Sequence, residues 1–226
     1  MNNTITLTDS SPSIQHLCKR DKRLAKIIGM IGDISYKPYD DPFKFLVHEI
    51  IEQMLSVKAG RKIYSRLEEM CNGAITPETI NNFSANEIQA IGTSSAKAQY
   101  IKDLANSVVH KDLVFETLDS LPDKEVIKEL TKLRGIGEWT AHMYLIFVLD
   151  RQDILPTTDV AFLQVYEWLY KTDDRSKTSV EKKCKKWKPY SSIATRYFYH
   201  ALHHHQTVAL QPVSQNHPTV GNCFNF

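Results

Sequence analysis

Two glycines and one carboxylate carry the chemistry that can be read in this chain. Leu133-Arg134-Gly135-Ile136-Gly137-Glu138-Trp139-Thr140-Ala141 is followed, after an apolar run of helix length, by Leu155-Pro156-Thr157-Thr158-Asp159. Glycine accepts positive φ and lets another backbone come close, so Gly135 and Gly137 predict a tight turn. Helical patterns run into it over 123–132 and out of it over 138–149. The first amides of a helix lack intrahelical acceptors and sit at the positive end of its dipole. The second helix therefore offers phosphate-binding N–H groups at the turn. A dinucleotide-binding loop would need a preceding strand and a third glycine at position 140, where Thr140 stands, so that reading is rejected. Asp159 opens a third helix. Aspartate at a helix start is a cap by default, but a lone carboxylate can also stabilise a developing positive charge and orient or deprotonate water.

These residues need helices to hold them, and the periodicity describes an all-α chain; no long alternating strand pattern occurs. Residues 1–12 are expected to be a disordered or loosely attached leader. Ile14, Leu17, Leu24, Ile27, Ile28 and Ile31 then recur at helical spacing, with a break near Lys19–Asp21 and an end marked by Gly29 and Gly32. The stripe Phe43, Leu46, Val47, Ile50, Ile51, Met54 and Leu55 predicts a core helix over 43–58. Its end places a polar amide, Gln53, and Met54 where they can project into a groove. An amphipathic helix is expected over 61–72. Thr76-Pro77 is an N-cap followed by proline at the first helical position. Ser84 with Glu87 forms a capping box and Phe83 with Ile88 a hydrophobic staple, so short helices are expected over 77–82 and 85–91. A helix over 95–109 carries Lys97 and Lys102, both read as solvated. After Asp159, Val160, Phe162, Leu163, Val165, Tyr166, Trp168 and Leu169 form a buried helix. Residues 171–188 hold eight Lys or Arg against three acids; the run is either a solvated face or an electrostatic footprint on nucleic acid. A last, aromatic-rich helix over 187–203 follows Pro189, and 204–226 reads as a tail. His200, His203, His204 and His205 read as surface residues rather than metal ligands.

Composition bounds the class. The chain has 226 residues, 42% hydrophobic and 24% charged, with net charge +2, which is ordinary for a globular protein. Cys18, Cys71, Cys184 and Cys223 are scattered without a C-x-x-C pair, which argues against zinc and iron–sulfur and for free thiols in a reducing compartment. No basic-then-apolar leader opens the chain, and no apolar run approaches the ~20 residues of a membrane span.

The hairpin with its Pro156-x-x-Asp159 resembles the helix-hairpin-helix (HhH-GPD) DNA glycosylase superfamily, in its alkylated-base branch. Further matching segments run from His16-Leu17 through Asp21 to Gly29, from Pro42-Phe43 to Ser56-Val57-Lys58-Ala59, and from Ile91-Gly92 through Lys97 to Leu104-Ala105. Trp187-Lys188-Pro189-Tyr190 is close to the W-x-P-W/Y signature. The likeness spans roughly residues 14–203.

The resemblance implies a two-lobed helical fold over 13–203, with interleaved lobes, the hairpin at 131–141 and an active-site cleft between the lobes. It makes Asp159 the catalytic aspartate. It places DNA phosphate on the amides of Gly135 and Gly137 with Thr140 beside them, and DNA contacts on Gln53, Met54 and Ser56, Met54 filling the gap left by a flipped base. Trp139 and Tyr199 become pocket aromatics. A monovalent cation, Na+ or K+, would sit on the carbonyls of Thr131, Leu133 and Ile136; no other cofactor is required. Glycosylases that also cut the backbone carry a Lys where Trp139 stands, so one-step hydrolysis is implied. The expected activity is excision of 3-methyladenine- and 7-methylguanine-type bases from double-stranded DNA by a monomer, in the bacterial cytoplasm on the nucleoid or in a eukaryotic nucleus. A non-catalytic helix-hairpin-helix module that binds damaged DNA, or a glycosylase for deaminated or oxidised bases, stays open. Two departures stand out: Ser191 where the family often has Arg, and Gln53-Met54 where it often has Gln-Gln.

Overall fold

The computed structural model describes residues 4–207, with side chains through 202. In chain order the elements are β1 (Ile5–Leu7), α1 (Pro12–Arg20), α2 (Lys22–Ile31), β2 (Ile34–Tyr36), α3 (Pro42–Glu52), α4 (Val57–Met70), α5 (Pro77–Asn81) and α6 (Ala85–Ala90). There follow α7 (Ser95–Val109), α8 (Phe115–Leu118), α9 (Asp123–Thr131), α10 (Glu138–Phe147), α11 (Val160–Tyr170), α12 (Lys177–Cys184), a 3-10 turn at Lys185–Trp187, and α13 (Ser191–Thr207). Local chemistry sets many of these boundaries. Asp21 breaks the first helical stretch by accepting from the amides of Arg23 (3.0 Å) and Leu24 (3.3 Å), which caps α2. The Ser84–Glu87 capping box forms in both directions at the start of α6. Prolines sit in the first turn of α1, α3 and α5.

The described chain divides into two units. One is built from both ends, residues 4–38 with 150–207, and the other from the middle, Tyr39–Leu149. In the first unit, α1, α2, α11 and α13 bury Ile14, Leu17, Leu24, Ile27, Phe162, Tyr166 and Phe198. Phe162 stacks on Phe198 at 5.2 Å, and Trp187 meets Phe198 edge-on at 5.3 Å. In the middle unit, α3 packs on α4, α7 and α10. α10 is buried on nearly every side, from Thr140 to Phe147, as an all-round apolar helix must be. Phe45 and Phe115 both contact the Tyr144 ring, at 6.2 and 6.4 Å. Among the described residues no helix is long and apolar enough to cross a membrane, and Cys18, Cys71 and Cys184 are free thiols.

Three expectations need correction, and one element was not expected. The leader is anchored: Ile5, Thr6 and Leu7 pair antiparallel with Tyr36, Ser35 and Ile34, because Leu7, Ile34 and Tyr36 bury their side chains; three residues are too few to show an alternating pattern. The single helix expected over 43–58 is two helices. α3 stops at Glu52, Met54 takes a left-handed φ of 59°, and Ser56 restarts the chain by capping α4 through Ala59 N (3.3 Å). α8 had no sequence signal. The last helix starts at Ser191 and runs to Thr207, into the expected tail. The remainder of that tail and the side chains of His203, His204 and His205 lie outside the described residues.

Candidate active site and nucleic-acid interface

The hairpin forms where the sequence places it. α9 ends at Thr131, Ile136 N donates to Leu133 O (3.1 Å) across the turn, and Gly135 takes a φ of 85°. α10 begins with Gly137 as N-cap, and its first helical bond is Ala141 N to Gly137 O (3.0 Å). The amides of Gly137, Glu138, Trp139 and Thr140 therefore precede the helical ladder. Gly137 is exposed, and a Cβ added there would have no neighbour within 4 Å. A helix start with accessible backbone at Gly137 is a setting suited to an anion. Thr140 contributes only its amide: its side chain is buried, and its Oγ1 accepts from Gln53 Nε2 at 3.5 Å.

The structure turns Gln53 inward rather than toward a groove. Its Nε2 donates to Gly135 O at 2.8 Å, tying the end of α3 to the hairpin. Met54, next in the chain, is 96% exposed. Its backbone is left-handed at φ 59°, an uncommon conformation for a residue with a side chain.

Asp159 and Tyr199 belong to the other unit. Asp159 is 5% exposed and caps α11, its Oδ1 accepting from Phe162 N at 2.5 Å. Its own amide donates to Pro156 O at 3.0 Å, so the Pro156-Thr157-Thr158 turn presents it. The preceding loop is fastened to the start of α13. Ser192 Oγ accepts from Ile154 N (2.9 Å) and donates to Arg151 O (2.5 Å). Asp153 accepts from Ser191 Oγ (2.6 Å) and from Lys188 Nζ (3.1 Å). Ser191 is thus a buried loop fastener and not a groove contact. Tyr199 lies on the same helix, 2% exposed. Trp139, at the start of α10, is partly exposed.

Part of the basic run is neutralised internally. Arg175 pairs with Glu167, Lys188 with Asp153, and Lys186 with Asp21 at 3.0 Å. Asp21 is buried, yet its carboxyl sits below the usual range: burial works to raise it, and bonds from Tyr170 Oη, Trp187 Nε1, Lys186 and the Leu24 amide outweigh that. Lys171, Lys182 and Lys185 remain on the surface.

Sequence reading missed Lys97, Tyr100, Asp153 and Ser192. One signal was present. Lys97 falls in the first turn of its helix, where the dipole disfavours a cation, so a partner elsewhere is implied.

The sequence matches the family model for HhH-GPD superfamily base excision DNA repair proteins over residues 47–189. It is 29% identical over 169 residues to DNA-3-methyladenine glycosylase 1 of Schizosaccharomyces pombe, covering 74% of each chain. Among solved structures, DNA-3-methyladenine glycosidase from Bacillus halodurans superposes with a TM-score of 0.78 at 32% identity, over 88% of this chain and 92% of that one. The S. pombe 3-methyladenine DNA glycosylase in complex with abasic DNA gives 0.75 at 27% identity, over 83% and 95%. Hairpin, Pro-x-x-Asp turn and helical scaffold together place the chain in the HhH-GPD superfamily of base excision DNA repair proteins.

Proposed function

We propose that this chain is a DNA glycosylase that hydrolyses the N-glycosidic bond of alkylated purines, of the 3-methyladenine and 7-methylguanine type, in double-stranded DNA. The observation that carries the reading is Asp159: a buried carboxylate at Pro-x-x-Asp spacing, one helix beyond a Gly-x-Gly hairpin that starts a helix. Likeness to 3-methyladenine glycosylases supports the substrate class.

The chemistry follows from the groups. A base inside the duplex is out of reach and must be flipped, at a cost of a few kcal/mol. The hairpin amides hold a backbone phosphate while this happens, and Met54 fills the gap, since an apolar, flexible side chain suits a wedge between bases. Bond cleavage passes through an oxocarbenium-like sugar. Asp159 stabilises that cation and orients the attacking water. Alkylation at N3 or N7 makes the purine cationic, so it leaves more easily and is attracted to an electron-rich ring such as the partly exposed Trp139. Trp139 has no amine to form a Schiff base, which supports hydrolysis without strand cleavage. The carbonyls of Thr131, Leu133 and Ile136 are neutral oxygens at a helix end and its turn, a donor set that fits a monovalent cation. Such an ion would stiffen the hairpin and takes no part in bond cleavage. The reading carries with it a monomer working on the nucleoid or in the nucleus.

Asp159→Asn tests the reading cleanly, because asparagine also caps helices and the substitution removes mainly the charge. Release of N3-methyladenine from alkylated DNA is expected to fall by at least about 10²-fold, with duplex binding retained. Unchanged release would remove Asp159 from the mechanism. No release by the intact protein would point to a damage-binding module. A panel of 7-methylguanine, ethenoadenine, hypoxanthine and uracil duplexes sets the lesion range.

A further inference from the structure

We propose that Lys97 is a positioning residue for base excision, clamping the Gln53–Ser56 turn so that Met54 stands out toward DNA at a fixed place relative to the hairpin. The proposal rests on the glycosylase reading in one respect, the assignment of Met54 as the wedge.

The geometry lies within the middle unit. α3 ends at Glu52, so its last carbonyls lack helical partners. Lys97 Nζ reaches them from α7, donating to Ile51 O at 2.9 Å and to Gln53 O through a short hydrogen bond. A cation at the C-terminal end of a helix is favoured by the dipole. The lysine is half-buried and burial lowers its affinity for a proton; among the described residues no carboxylate pairs with it within ion-pair distance. An ammonium withdrawn from water for two carbonyls is expensive unless those carbonyls must be held.

What they hold is strained. Met54 is a non-glycine residue at φ 59°, a sparsely populated conformation that persists only where neighbours over-determine it. Gln53, just before it, is fixed three ways. Its amide donates to Glu49 O (3.2 Å), its carbonyl accepts from Lys97, and its Nε2 donates to Gly135 O (2.8 Å). α7 also reaches the hairpin directly. Three residues after Lys97, Tyr100 lies so close that a Cβ on Gly135 would fall 2.3 Å from its Cδ2. Three residues further, Asp103 accepts from Arg134 at 2.7 Å. Steps of three keep these side chains along one side of the helix. One helix therefore sets both the phosphate anchor and the wedge turn, and fixes the span between a held phosphate and the gap Met54 would fill. Such preorganisation matters: a shift of 1 Å in a positioning element can cost about 10²-fold in rate.

The test uses the full chain and two substrates, a duplex and a single strand carrying the same 3-methyladenine. The gap needs filling only in the duplex. Lys97→Met is expected to lower single-turnover release from duplex by about 10-fold to 10²-fold while release from the single strand stays within about twofold. Met54→Ala should lower duplex release too, and the double variant should be no worse than the weaker single one, as expected for residues acting as a unit. Lys97→Arg, which keeps the cation, should recover much of the duplex rate. Amide exchange should quicken at residues 53–56 in Lys97→Met and not in α10. Equal loss on both substrates, multiplying effects, or unchanged exchange at 53–56 would overturn the proposal. If Lys97→Met does not fold, Lys97→Gln with the same exchange measurement decides it. A wild-type protein that releases no base from either substrate refutes the glycosylase reading, and the exchange result still judges the clamp.

Discussion

Replacing Gly135 by alanine tests the physical account of the hairpin, because its two glycines are required for different reasons. At Gly135 the φ of 85° disfavours any side chain, and the added Cβ would lie 2.3 Å from Tyr100 Cδ2, 2.5 Å from Cγ and 2.9 Å from Cβ. The last of these distances matters most. Rotating the ring relieves contacts with Cδ2 and leaves the Cβ–Cβ overlap, so α7 itself has to give. Left-handed strain of about 1–2 kcal/mol adds to an overpacking cost of about 1–3 kcal/mol, for about 2–5 kcal/mol in all. For a chain of this size that lowers the melting temperature by about 4–20 °C. Gly137 has ordinary extended backbone and open space around it, so Gly137→Ala should stay within about 1 kcal/mol of wild type. It should still weaken duplex binding, because the new methyl stands where a phosphate would approach the amides. Guanidinium unfolding of both variants, alone and in a Tyr100→Ala background, reads these contributions. Removing the ring relieves the Cδ2 and Cγ contacts and leaves the Cβ–Cβ overlap, so the Gly135→Ala cost should fall while staying above the backbone strain alone. A Gly135→Ala variant within about 0.5 kcal/mol of wild type, or one whose cost is unchanged without Tyr100, would refute the reasoning.

Two further predictions concern what holds the scaffold. His48 bridges Glu49 and Glu52 at 3.3 Å each; burial alone would lower its pKa, but the two carboxylates outweigh it and push it up to about 9. A raised folded pKa means the contribution is fully present below the unfolded value near 6.5 and is lost as pH rises through about 9, a window worth about 3 kcal/mol; the stability difference between wild type and His48→Gln should shrink over that range, and a pH-independent difference would refute the bridge. Ser192→Ala removes the acceptor for the Ile154 amide, and an orphaned buried amide costs about 1–3 kcal/mol; unfolding within about 0.5 kcal/mol of wild type would show that the loop before Asp159 is held by something else.

What the sequence made legible and what it hid divide by the reach of the interaction. The Ser84–Glu87 capping box, the Asp21 break and the Gly135 turn could all be read, because each is settled among residues within a few positions of one another. The interruption after Glu52 could not. Ile50, Ile51, Met54 and Leu55 keep helical spacing straight through it, so periodicity alone continues the helix to Lys58. The break is imposed from Lys97, 44 residues away, and from Gly135, 82 residues away. For the same reason Lys97 reads as solvated in sequence: its partners are backbone carbonyls, which every residue has and which leave no mark in a residue pattern. Ser191 follows the same logic. Its departure from arginine suggests an altered groove contact until Asp153, 38 residues earlier, is seen to take its hydroxyl.

The same division separates the chemical groups from their supports. Asp159, Gly135 and Gly137 could be picked out as candidates from type and spacing, and Trp139 from the family resemblance. The groups that fix them in place are interchangeable in type and are recognised only by what they touch. Met54 lies between the two classes. Its residue type fits a wedge, but the property that makes it usable, a 96% exposed apolar side chain on a left-handed backbone, comes from Lys97 and Gln53. A strained turn that is held on its protein side and open on the other can take up load without being reorganised by it. In the wedge role proposed for Met54, the cost of ordering the turn is then met on folding, before any DNA is bound.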